Sequence, residues 1–434
     1  MIINFSIQNF GSIKDRQTLS FEADNSDHLE KQYIINTVSG HRLLKLALIY
    51  GSNASGKTTI LKALQFLRSI VLEPQEKKTV ELSYSPFLFD SITPQSTSII
   101  SIEFLQNNIK YFYEVEFLKK AIVKERLDFY NPNKANVYSR ETNLTNQFAE
   151  ITFGSKIKKD KTSEKTLESN TLWNNTVLGG FLKTNIDIKE LKEVTEWFKN
   201  YLSFLIFTET QLEGYVTRKI ENNQISKSEV INILKKADFN ISDFSISKEI
   251  KMPEEFEKIF KALNLPDSEI EKLKNNPPRK IVFEHIVNEN KYDLPLELES
   301  EGTRRYYGFA GLLSLLINGS MAIPIDELEA SLHPELYIHF LLTFLLNSEK
   351  SQIIATTHNR EILNNRDIFR NDAIWFTDKS EQCSTELYSL ADFDSSVIRD
   401  TSNILNAYKS GRLRGTPNVG DYFIDLKNEK SKGE

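Results

Sequence analysis

Gly51-Ser52-Asn53-Ala54-Ser55-Gly56-Lys57-Thr58 fits the pattern G-x-x-x-x-G-K-[ST], and its flanks give that pattern meaning. Residues 44–50 (LKLALIY) form an apolar run that predicts a buried strand. Residues 59–70 follow with Ile60, Leu61, Leu64 and Leu67 on one helical face. Strand, glycine loop and helix start together make a phosphate cradle, because glycines let backbone N–H groups approach an anion. Gly51, Ser52, Asn53, Ala54, Ser55, Gly56, Lys57, Thr58 and Thr59 are therefore the candidate nucleotide-binding run. Lys57 is expected to reach the β- and γ-phosphates, and the Thr58 hydroxyl to ligate Mg²⁺.

The rest of the composition sets the frame. A chain of 434 residues suits two or three lobes, and 40% hydrophobic with 26% charged residues describes a globular protein. A net charge of −6 gives no global argument for nucleic acid. The lone Cys383 excludes an internal disulfide and fits a reducing cytoplasm. The start MIINFSIQNF lacks a basic stretch followed by an apolar core, so no signal peptide is expected. The apolar stretch 309–325 is broken by Asn318, Gly319, Ser320 and Pro324, which excludes a membrane span.

Along the chain, residues 2–7 and 18–21 read as a hairpin, and residues 99–105, 111–117 and 121–129 as an antiparallel β subdomain. Residues 155–170 are polar and lysine-rich and read as a solvated loop or the start of a helical insert. Helical patterns dominate 172–278, with amphipathic stretches at 188–205 and 226–237, short charged ones at 254–263 and 267–275, and a stop at Pro277-Pro278. Helix and strand then alternate: helix 302–318, strand 321–325, helix 334–347, strand 352–356 and a strand at 373–376. That alternation implies a parallel sheet shared with the P-loop strand. The expected organisation is an N-terminal lobe at 1–153, a helical insert at 154–278, a C-terminal lobe at 279–420 and a tail at 421–434.

The second half of the site is read from three further pieces. Strand 321–325 ends in Asp326-Glu327, which places Asp326 at the sheet edge as a Mg²⁺ ligand and Glu327 as a base for water. Strand 352–356 leads into His358, which is expected to present its imidazole to the γ-phosphate. Ser300, Glu301 and Gly302 begin a helix, with Ser300 as N-cap, and form a second candidate anion site.

Taken together, these pieces resemble the ABC-type ATPases of the SMC, RecF and OLD group. GSNASGKT resembles their Walker A, MAIPIDE their Walker B, ESEGTRR their signature and ATTH their switch histidine. Ser331-Leu332-His333-Pro334 falls where those proteins carry the D-loop, while Ser85-Pro86-Phe87 lacks the glutamine of a Q-loop. KKADFNISDF, DELEASLHPEL and AYKSGRLRGTPNVG are similar to stand-alone phage-defence ATPases: the AbiL type, AriA of PARIS and, more distantly, PtuA of Septu. The resemblance covers residues 1–130 and 280–420, and in the helical block only 237–244, and implies an α/β ABC-ATPase head with an antiparallel β subdomain and an inserted helical one. It implies ATP and Mg²⁺ as ligands and a head-to-tail homo-oligomer in which Ser300 and Gly302 of one chain meet the γ-phosphate held by Lys57 of another. It also implies a separately encoded effector, with a phage protein or DNA as trigger.

Other readings predict other features. A DNA-repair ATPase would carry a basic surface or long arms, neither evident here, and an ATP-locked scaffold would hydrolyse slowly. A nuclease is not expected, because Asp392-Phe393-Asp394 lacks the glutamate that completes such a metal site.

Overall fold

A computed structural model of the chain describes residues 1–160, 162–248, 279–393 and 403–416. The expected helices at 254–263 and 267–275, Asp394, Lys161 and residues 417–434 lie outside the described residues. The N-terminal part runs β1 (Ile2–Gln8), β2 (Gln17–Ser20), α1 (Glu30–Tyr33), β3 (Ile34–Asn36), β4 (Arg42–Leu44), β5 (Leu46–Gly51) and α2 (Lys57–Leu72). Five strands follow: β6 (Ser98–Gln106), β7 (Ile109–Leu118), β8 (Ala121–Tyr130), β9 (Lys134–Asn143) and β10 (Phe148–Phe153). Helices α3 (Ser163–Asn170), α4 (Val177–Phe181), α5 (Lys189–Glu196), α6 (Leu212–Glu221) and α7 (Lys227–Lys236) come next. The chain then forms β11 (Asp243–Lys248), β12 (Arg279–Val287), β13 (Asn290–Pro295), α8 (Glu301–Asn318), β14 (Ala322–Ile325) and α9 (Pro334–Asn347). It ends on β15 (Gln352–Thr356), β16 (Ile374–Lys379), β17 (Thr385–Ser389) and α10 (Ile404–Lys409).

Two sheets carry the architecture. One, in the order β14-β15-β5-β16-β17, is parallel except for β17, and brings the P-loop strand between β15 and β16. Its strands β5, β14 and β15 are buried along their whole length, as near-continuous apolar runs in a parallel sheet require. The other is antiparallel, in the order β10-β9-β8-β7-β6-β1-β2, so the first hairpin and the β subdomain form one surface. Helix α2 packs on both: Phe66 meets Phe117 of β7 with ring centroids 5.1 Å apart, while the helix also lies against β5 and β15. Helix α8 packs against α6, α7 and α9, so the inserted helices lean on the helix that begins at Ser300. This is the expected α/β arrangement, with a mixed sheet, an antiparallel β subdomain and inserted helices.

Some expected elements differ. The antiparallel subdomain has two more strands than predicted, because β9 and β10 alternate with polar residues and their apolar faces are short. The stretch 188–205 is not one helix. It is α5 followed by a π-helical turn at Trp197–Tyr201, after which the chain becomes extended. Leu202 and Ile206 bridge in parallel to Ala322 and Ile325, adding a short extended segment to the free edge of β14. Ser203 and Ile206 donate to the carbonyls of Ala322 and Pro324, and Asp326 donates back to Ile206. The apolar residues of a short run serve helix and strand alike, so periodicity alone could not separate the two.

Candidate functional site

The P-loop is held from three sides. Gly51 and Gly56 sit where a side chain has no room. A Cβ on Gly51 would lie 2.3 Å from Thr377 Oγ1, and one on Gly56, at φ +105°, would lie 2.0 Å from Thr385 Oγ1. The Ser55 hydroxyl bonds that of Thr377 at 2.6 Å, and Thr385 donates to the Ser55 carbonyl at 2.8 Å. Ser12, in the turn between β1 and β2, touches Thr59 and Thr385 through its hydroxyl. Ala54 takes a left-handed φ of +60° between exposed Asn53 and buried Ser55. Thr377 lies within β16 and Thr385 begins β17, both far from the loop in sequence, and no motif announces them.

Lys57 is 6% exposed, and its ammonium donates to the carbonyls of Gly51 at 2.9 Å and Ser52 at 3.0 Å. Burial lowers its pKa, and Asp326, Glu327 and Glu329 act in the opposite direction. Thr58 Oγ1 lies 3.1 Å from both carboxylate oxygens of Asp326. Asp326 is 9% exposed and also accepts from the Thr356 hydroxyl at 2.6 Å. The hydroxyl that begins α2 and the acid that ends β14 thus meet across the sheet, since β15 alone separates β14 from β5.

Glu327 turns at φ +48°, a left-handed conformation uncommon for glutamate. Its N–H donates to Thr356 Oγ1 at 2.8 Å, so Thr356 supports both acids. His358 Nε2 lies 4.0 Å from Glu327 Oε1, with the imidazole 40% exposed. Burial and then the Lys57 charge hold the His358 pKa below its ordinary value, partly countered by Glu329 and Glu327. The His358 N–H donates to Glu329 Oε1, and Glu329 Oε2 has no hydrogen-bond partner. Thr356 stands in the ATTH run two residues before His358, and the strand-to-histidine pattern was the signal available for it.

The start of α8 belongs to a different contact set. Ser300 caps the helix by accepting the Thr303 N–H at 3.0 Å. Ser331 donates to Glu301 at 2.7 Å, and a Cβ on Gly302 would lie 3.1 Å from the Ser331 carbonyl. Among the described residues, no hydrogen bond or ion pair joins Ser300, Glu301 or Gly302 to residues 51–59. The chain therefore presents two groups: Gly51–Thr59 with Asp326, Glu327 and His358, and, apart from them, Ser300–Gly302 seated on Ser331. Near Ser85, the expected Q-loop position, the Ser85 carbonyl accepts from Gly11 and Phe87 is buried.

Comparison with known proteins gives the following. The chain is similar to the SMC head domain from Thermotoga maritima, at 12% identity and TM-score 0.41, covering 89% of this chain and 98% of that one. It is also similar to an SMC head bound to the C-terminal winged-helix domain of ScpA, at 11% identity and TM-score 0.43, covering 89% and 97%. A third is an Smc head domain with an extended coiled coil bound to the C-terminal domain of ScpA derived from Pyrococcus furiosus, at 11% identity and TM-score 0.39, covering 89% and 96%. No curated protein matches the chain. Residues 1–363 match the family AAA_15, described as AAA ATPase domain, and the chain belongs to that family.

Proposed function

We propose that this chain binds and hydrolyses ATP with Mg²⁺ at a site completed by a second copy of itself, and that its nucleotide state controls a separately encoded effector in anti-phage defence. The observation that carries the nucleotide half is the contact of Thr58 Oγ1 with both oxygens of Asp326 beside Lys57. A hydroxyl and a carboxylate are the hard oxygen donors that Mg²⁺ takes, and the absent side chains of Gly51 and Gly56 let the loop close tightly around a phosphate. Mg²⁺ bound with ATP would supply neutralisation of the β- and γ-phosphate charge.

Each residue then has a task. Lys57 exchanges its two carbonyl partners for phosphate oxygens. The N–H groups of residues 51–59 would line the triphosphate, and Thr58 and Asp326 would hold the metal. Glu327 takes the proton from the attacking water. His358 serves beside it, with burial and then the Lys57 charge holding its pKa below the ordinary value in the absence of nucleotide. Ser300, Glu301 and Gly302, which among the described residues make no hydrogen bond or ion pair with their own P-loop, serve the ATP of the neighbouring copy as a helix N-terminus facing an anion. The lobes 1–153 and 279–420 form the head, and 154–278 is the candidate surface for passing its state to a partner. The described residues hold no helix long and apolar enough to cross a membrane, and we place the protein in the cytoplasm.

The resemblance of DELEASLHPEL and AYKSGRLRGTPNVG to phage-defence ATPases supports the biological half. Two experiments test the reading. Glu327→Gln keeps ATP binding, slows hydrolysis about tenfold or more, and accumulates an ATP-bound assembly in light scattering. Unchanged turnover moves the base elsewhere. Cells carrying the gene with its operon neighbour resist phage in a Lys57- and Glu327-dependent way, and full protection by this gene alone contradicts the effector model.

A further inference from the structure

Arg304 and Arg305 follow the Ser300–Gly302 helix start, and adjacent helical positions point about 100° apart, so they cannot share a face. Arg305 is the one turned inward, only 9% exposed. A buried guanidinium is costly unless its donors are met. Here one is: Nη1 donates to the Thr208 carbonyl at 2.8 Å, and the guanidinium carbon stands 5.0 Å over the Phe309 ring. Nε and Nη2 have no hydrogen-bond partner. The surrounding charges are acids: Glu301, Glu329, Glu213 and Glu327 all act on it, in that order.

Thr208 gives the position its meaning. It follows the segment whose Ile206 bridges to Ile325 and whose Ile206 carbonyl receives the Asp326 N–H. Arg305 therefore ties α8 to the edge of the strand that delivers Asp326 and Glu327. From the other side, Glu301 and Gly302 rest on Ser331, where the same acid-bearing loop ends. Glu329, between these anchors, carries a buried carboxylate oxygen without a partner, while Arg305 carries two donors without one.

We propose that Arg305 is a positioning residue that couples the Ser300–Gly302 end of α8 to the loop of Glu327 and Glu329 in the same chain. The proposal rests on the composite ATP site described above. It separates two places that a single arginine could serve. Acting on Glu327 and Glu329 of its own chain, Arg305 supports the ATP bound at its own Lys57. Acting as an extension of the signature, it would support the ATP of the neighbour.

Mixed oligomers decide between them. Arg305→Met keeps an unbranched apolar stem and removes the guanidinium with its charge, its contact over Phe309 and its bond to Thr208. Ser300→Asp keeps the N-cap, because aspartate caps as well as serine, and sets a negative charge against the neighbour's triphosphate. Arg305→Met is expected to bind ATP with unchanged affinity and lose about tenfold to a hundredfold in kcat, as misplacement of a catalytic group does. Its Tm should hold, because an incompletely paired buried charge contributes little stability. Arg305→Lys should recover much of the rate. Mixed one to one, Arg305→Met should regain activity with Ser300→Asp chains and not with Lys57→Ala chains. Rescue by Lys57→Ala in place of Ser300→Asp, unchanged kcat, or loss of rate only in step with Tm overturns the proposal. The mixture of Lys57→Ala with Ser300→Asp tests the composite site by itself. If that control fails, the shared-site reading falls, and the fate of kcat at unchanged affinity still decides whether Arg305 positions the acids.

Discussion

Replacing Asp326 by asparagine removes one charge from the pair that Thr58 and Asp326 form, and leaves the shape in place. The carboxylate is 9% exposed, accepts Thr58 at 3.1 Å on both oxygens, and accepts Thr356 at 2.6 Å. Asparagine keeps one oxygen for the Thr356 hydroxyl and turns its amide toward the Thr58 oxygen. Stability without nucleotide should therefore fall by only about 1 kcal/mol, the net worth of one hydrogen bond. Metal binding should suffer far more. One carboxylate charge 4 Å from a divalent ion is worth about 8 kcal/mol at an effective permittivity near 20, much of it offset by the desolvation that binding requires. The amide oxygen recovers part of this as a neutral ligand, so about 2.7 kcal/mol remains, roughly a hundredfold in Mg²⁺ half-saturation. The assay is ATP turnover across a Mg²⁺ titration, with Tm recorded on the same sample. A folded Asp326→Asn protein that reaches half-maximal rate at the same Mg²⁺ concentration as the parent refutes the assignment of Asp326 to the metal.

Gly56→Ala should both destabilise the chain and abolish ATP binding. Its φ of +105° costs an alanine about 1–3 kcal/mol, and the new Cβ falls 2.0 Å from Thr385 Oγ1. Unchanged Tm and turnover would remove the close-packing argument. For His358, NMR titration in the absence of nucleotide should give a midpoint below the ordinary histidine value of about 6.5. The sign follows from linkage: as pH falls through about 6.5 the unfolded chain takes up the proton first, so His358 weakens folding below that pH and is neutral to it above. A midpoint above 6.5 would mean that Glu327 and Glu329 outweigh burial and Lys57.

The parts of the fold that were legible are those whose elements are long or bounded by chemistry. Helix Pro334–Asn347 and strand Gln352–Thr356 fall where periodicity put them, the first with proline at its start. The P-loop strand and helix shift by two residues at their starts, since Lys57 and Thr58 already lie in α2. The acid pair after β14 was legible because a polar doublet ends an apolar run. The extended segment at Leu202–Ile206 was not, because four or five apolar residues carry no period of their own and only β14 gives them a partner. Thr377, Thr385 and Ser12 support the loop from distant parts of the chain, and single hydroxyls leave no local pattern. Arg305 carried no reading of its own in the sequence, and only the packing of α8 against α6 and the hydrogen bond to Thr208 show it turned inward.

In the proposed mechanism Lys57 anchors the triphosphate that this chain hydrolyses. The most direct measurement is ATP affinity and steady-state turnover of a folded Lys57→Ala protein beside the parent. The side chain is almost wholly enclosed and meets only carbonyls of its own loop, so alanine leaves the surface fold intact while deleting the charge aimed at the β- and γ-phosphates. The expected result is parental circular dichroism with ATP binding or hydrolysis lost. Parental affinity and turnover in the folded variant would contradict it.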